Sequence, residues 1–142
     1  MRNRSLVTLV IVAVVVAATI AQSARSAWTG VYTTEQATRG EQLYVRTCAE
    51  CHGDDLEGRE RAPGLAGVTF NQRWDGATLK KLFERLEEMP PAKPEARLTP
   101  SQYADVLAFL LNANEVPAGM TPLEPDKKAL ADITYTSQQP KF

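Results

Sequence analysis

The chain has 142 residues, 44% of them hydrophobic, with 16 Lys and Arg, 17 Asp and Glu, and one histidine. That length suits one domain with a modest core. No basic stripe runs through it, which speaks against nucleic acid as a partner. The mild acidity favours solubility and weak, salt-sensitive docking to a complementary patch.

Arg2 and Arg4 precede an uncharged apolar run from Leu6 to Ala21, with small residues around Ala21 and Ser23. A positive start, an apolar stretch and a small-residue exit read as a secretory signal over residues 1–23. The run of 16 residues is shorter than the ~20 that span a bilayer squarely. Cleavage fits after Ala21 or after Ser23. The small-residue pattern is loose, so an uncleaved N-terminal anchor, tethering the protein to the membrane, is the alternative. Either reading places the rest of the chain in the periplasm. Without Arg2 and Arg4, 14 basic residues face 17 acidic ones.

A leader segment, 24–33, comes next. Thr33 and Thr34 then offer N-cap oxygens for a helix reaching to about Cys48, with Ala37, Gly40, Leu43, Tyr44 and Cys48 at helical spacing. A glycine inside a helix costs ~1 kcal/mol relative to alanine, so Gly40 suggests close approach of another backbone.

Both cysteines and the only histidine fall within five residues, Cys48-Ala49-Glu50-Cys51-His52. Two thiols three positions apart can each add to one vinyl group of the same porphyrin, leaving the adjacent imidazole under the iron as an axial ligand. Other uses of the pair fit less well. A thiol–disulfide redox motif needs a thioredoxin-like βαβ context, and no strand pattern supplies one. A zinc site wants four ligands, and the chain has no second histidine or third cysteine. A tight structural disulfide is the remaining bland reading. Covalent haem attachment explains the spacing best, with haem c and its iron as the cofactor.

From Gly53 to Gly76 the sequence reads as loop, rich in Gly, Asp and Pro. An amphipathic helix follows, with Leu79, Leu82, Phe83, Leu86 and Met89 on one face, and Pro90, Pro91 and Pro94 end it. Thr99-Pro100-Ser101-Gln102 has a capping-box pattern and opens a third helix, with Tyr103, Val106, Leu107 and Leu110 in one stripe. After Asn112 come prolines, a glycine and one short helical piece around Asp126–Ile133, read as a strap over the domain surface. The expected fold class is all-α, with three main helices around one haem, extended loops and a C-terminal strap. The domain spans 34–113 and the extension 114–142.

With one histidine, bis-histidine ligation within the chain is impossible. The methionines outside the export signal are Met89 and Met120. Met89 ends an amphipathic helix just before a proline-stiffened loop, which can hold a thioether against the open face of the iron. Met120 has little around it to brace such a role and reads as a filler. His52 and Met89 are therefore the expected iron ligands.

With these features the sequence resembles class I cytochrome c, over roughly Thr34 to Ala113. Gly40-Glu-Gln-Leu-Tyr44-Val-Arg-Thr-Cys48 looks like that family's first helix, and Ala104-Asp-Val-Leu-Ala-Phe109-Leu110 like its last. The resemblance implies that the two helices cross, pairing Gly40 and Tyr44 with Val106 and Phe109. It also implies that Arg61-Ala-Pro63-Gly-Leu65 is the segment whose proline carbonyl accepts the ring N–H of the ligating histidine. Met89-Pro90 matches the family's methionine-proline pair. Trp74 sits where the family often hydrogen-bonds a haem propionate, a plain core or lid tryptophan being the alternative. Trp28-Thr-Gly-Val-Tyr32 and Asn112-Ala-Asn-Glu-Val-Pro-Ala-Gly119 are similar to the flanks of small cytochromes associated with quinoprotein dehydrogenases.

The expected function is outer-sphere electron transfer between a donor dehydrogenase and the respiratory chain, where a terminal oxidase or another cytochrome accepts the electron. Leu65, Leu79, Leu82, Phe83 and Leu86 are the expected pocket walls. Two rivals are a dedicated cytochrome subunit of a dehydrogenase and a ligand-binding or peroxide-reducing haem protein. Nothing else suggests an enzyme: no nucleophile–base pair is visible, and the sole histidine is committed to the iron.

Overall fold

A computed structural model describes residues 24–60, 62–89 and 94–141. The secretory-signal reading of residues 1–23, Arg61, and the prolines Pro90 and Pro91 lie outside the described residues. The helices are α1 (Thr34–Thr47), α2 (Ala49–His52), α3 (Gly67–Trp74), α4 (Leu79–Glu88), α5 (Pro100–Ala113) and α6 (Lys127–Ala131). Two very short strands, β1 (Arg25–Ser26) and β2 (Ile133–Thr134), pair in parallel and join the leader to the tail. The fold is all-α; a two-residue pair is too short to leave any alternating pattern in the sequence.

Helix α1 starts where the Thr33 hydroxyl accepts the Gln36 N–H at 3.2 Å. Helix α5 opens with a complete capping box: Thr99 and Gln102 each bond the other's backbone N–H. The two helices cross at Gly40, which packs on the backbone of Asp105 and the Cβ of Phe109. The rings of Tyr44 and Phe109 lie 5.3 Å apart, and Arg39 adds a two-pronged ion pair to Asp105, both contacts at 3.0 Å. The small residue lets two backbones touch, and the aromatic pair one turn on fills the space beside them.

Helix α3 falls where the sequence reads as loop. It has one buried side chain, Phe70, and its N-cap residue Ala66 makes no side-chain cap bond. A short helix with so narrow a buried face, set among Gly and Pro, carries no periodic signal. A tertiary contact holds it instead: the rings of Phe70 and Tyr135 meet edge-on at 5.3 Å, while Phe70 and Trp74 pair within the helix at 6.4 Å.

The tail does more than cover the surface. Leu123, Leu130, Ile133 and Tyr135 enter the main hydrophobic core. The two flanking motifs meet each other: Gly119 donates its N–H to the Tyr32 carbonyl at 2.6 Å, and the Tyr32 hydroxyl bonds the Val116 carbonyl. A Cβ on Gly119 would overlap the Gly30 carbonyl, so the two strands of chain touch only because both positions are glycine.

Candidate functional site

The cluster of cysteines and histidine forms a single helical turn. Cys48 ends α1 and caps α2, and its carbonyl accepts the N–H groups of Cys51 (3.2 Å) and His52 (3.0 Å). Residues three and four apart on a helix share a face. Cys48, Cys51 and His52 accordingly border the same cavity, about 730 Å³ in volume. The two cysteines are not bonded to each other. Burial pushes the Cys48 thiol up, against a smaller opposing effect of the Thr47 hydroxyl.

His52 is 6% exposed, and its ring Nδ1 lies 2.8 Å from the carbonyl oxygen of Pro63. A ring N–H bonded to a carbonyl fixes the tautomer and leaves Nε2 as the nitrogen able to ligate a metal. The loop behind the ring is held at several points. The Tyr44 hydroxyl donates to the Gly53 carbonyl at 2.7 Å, the Gly58 N–H to the His52 carbonyl at 2.9 Å, and the Leu65 N–H to the Leu56 carbonyl at 2.8 Å. Pro63, Leu65, Trp74 and Met89 also border the cavity, alongside Cys48, Cys51 and His52. Met89 caps the C-terminus of α4 and is half-buried.

Residues 35–110 match the family described as cytochrome C oxidase, cbb3-type, subunit III. The chain belongs to that family of c-type cytochromes. It is also similar to the cbb3-type cytochrome c oxidase subunit CcoP of Rubrivivax gelatinosus, 32% identical over 83 residues, which are 55% of this chain and 26% of that protein. The chain thus matches about a quarter of that relative's length. No solved structure matches it. The fold is the cytochrome c fold, and the family is one of haem-binding electron-transfer domains.

The cavity suits this cofactor. Its volume lies within the roughly 300–1,000 Å³ usual for cofactor sites. Apolar side chains of α4 and α5, among them Leu82, Leu86, Val106 and Leu110, line it. Two expected wall residues are elsewhere: Leu79 and Phe83 are fully buried in the core cluster that also holds Leu130 and Ile133. The apolar stripe of α4 is wide enough to serve two surfaces, one edge facing the cavity and the other the tail. Met120 is 96% exposed and fills no core space; Val116 and Leu123 on either side of it are the buried residues of that stretch. Arg59, Arg73 and Arg85 also border the cavity, although in sequence an arginine destined for a site looks like any solvated one. Guanidinium groups there suit the two propionate carboxylates of a haem.

Proposed function

We propose that the protein is an exported carrier of single electrons, with one haem bound covalently through Cys48 and Cys51 and ligated by His52 and Met89. What supports this reading is the convergence of both thiols, the oriented imidazole and the thioether on one largely apolar cavity. Bound there, the haem supplies a one-electron couple. Met89 as a thioether ligand would favour the reduced state, and the apolar lining would do the same by disfavouring extra positive charge. With His52 and Met89 both available to hold the iron, no substrate would need to reach it. Pro63 holds the imidazole, Leu65 excludes water, and Trp74 closes the wall beside Arg73.

The donor is a dehydrogenase and the acceptor a terminal oxidase or another cytochrome, reached through a small transient contact in the periplasm. A second reading, a dedicated cytochrome subunit of a larger respiratory or dehydrogenase complex, is favoured by one observation: the matched relative is named as an oxidase subunit. Among the described residues no helix is long and apolar enough to cross a membrane.

The test is expression with haem-attachment machinery, followed by intact mass and denaturing electrophoresis. One haem per chain should survive denaturation and vanish in the Cys48→Ser/Cys51→Ser double variant. Haem that washes out of the denatured wild type would overturn covalent attachment. Co-purification with a large partner at fixed stoichiometry would replace the free carrier with the subunit reading.

A further inference from the structure

Asn114 follows the last turn of α5, beyond the residues matched by the family, and is 8% exposed. Its side chain makes three hydrogen bonds. Nδ2 donates to the carbonyls of Leu110 at 2.8 Å and Leu65 at 3.0 Å, and Oδ1 accepts the Gly67 N–H at 3.0 Å. These partners fix the amide orientation, since two carbonyls require the NH₂ group and an N–H requires the oxygen. The bond to Leu110 is local to α5. The other two reach across to the segment that carries Pro63, just before α3.

That segment has no regular structure from Pro63 to Ala66, so its position comes from what grips it. On one side the Pro63 carbonyl faces His52 Nδ1 at 2.8 Å and the Leu65 N–H bonds Leu56 at 2.8 Å. On the other side Asn114 holds Leu65 and Gly67. Leu65 is thus gripped through both its N–H and its carbonyl, two residues from the contact that orients the imidazole.

We propose that Asn114 is a positioning residue for the axial histidine, setting the plane and donor strength of the His52 ring through the Pro63–Gly67 segment. The inference rests on ligation of the iron by His52. A firm Nδ1–H bond to a carbonyl makes the imidazole a stronger donor and locks its rotation. A stronger donor stabilises the ferric state, so loosening the segment shifts the couple towards ferrous iron and raises the potential.

The experiment compares wild-type holoprotein with Asn114→Ala by potentiometric titration, ferric EPR and exchange of the His52 ring N–H. The substitution is neutral, so no new charge moves the potential. Asn114→Ser, whose hydroxyl or a water can restore one bond, replaces it if the alanine variant does not fold, with the same direction of change. Leu130→Ala is the comparison variant, opening the core beneath the tail. The expected result for the Asn114 variant is at least a threefold shift of the redox equilibrium towards reduction, about 28 mV at 59 mV per tenfold for one electron. Shifted g-values and faster ring N–H exchange should accompany it. Leu130→Ala should lower thermal stability and leave all three readouts in place. An Asn114 variant that loses stability but keeps its potential, g-values and exchange rate would reduce the residue to a structural brace. A wild-type spectrum without an imidazole ligand would instead remove the ligation reading, whatever the variants do.

Discussion

Gly40 lies so close to the carbonyl oxygen of Asp105 that no side chain can stand between them. A Cβ built there would overlap that oxygen and sit 2.9 Å from the Cβ of Phe109. Both neighbours belong to α5, whose Val106 and Leu110 line the haem cavity. Forcing the helices apart therefore also disturbs the pocket. Gly40→Ala should destabilise the holoprotein by about 1–3 kcal/mol, the usual range for overpacking, read from denaturant unfolding. An unchanged midpoint would mean that the crossing is looser than the contact implies.

Tyr135 anchors the tail to the wall of the site. Its ring is fully buried against Phe70, its hydroxyl bonds the Asn71 side chain, and its N–H donates to the Ala77 carbonyl at 2.8 Å. Tyr135→Phe removes one hydrogen bond and should cost about 0.5–1.5 kcal/mol. Tyr135→Ala empties an aromatic site and should cost about 3–5 kcal/mol. Thermal unfolding of both variants checks the order. Equal losses would show that the hydroxyl contact, and not the ring, carries the anchor.

Burial pushes three phenols above their ordinary value of 10, Tyr32 and Tyr135 to about 12 and Tyr44 higher still. In each the folded state holds its proton more tightly than the unfolded chain. The stability they lend is therefore complete below pH 10 and is lost as pH rises through the folded values near 12. Phenolate absorbance and circular dichroism should change together in that window. Phenolate appearing well before loss of helix would show that these tyrosines ionise in the folded state.

The long helices are legible in sequence because each carries a broad apolar face, to which α1 and α5 add a side-chain cap at Thr33 and Thr99. The haem turn is legible because five consecutive residues contain its chemistry. Helix α3 is not, since Phe70 alone is buried on it and its support comes from Tyr135, more than sixty residues away. The division of the α4 stripe between Leu82 and Leu86 on the cavity and Leu79 and Phe83 in the core is likewise invisible. Periodicity identifies a face but not what covers each edge of it. The distant partners of Asn114, Leu65 and Gly67, and the cavity that Arg59, Arg73 and Arg85 border form only in the folded chain.

Visible and EPR spectra of wild-type and Met89→Ala holoprotein test whether His52 and Met89 ligate a covalently held haem. The wild type should be low-spin in both oxidation states and inert to carbon monoxide. The variant should turn high-spin or bind the gas. A variant spectrum identical to wild type would contradict the account, because another donor would then hold the iron.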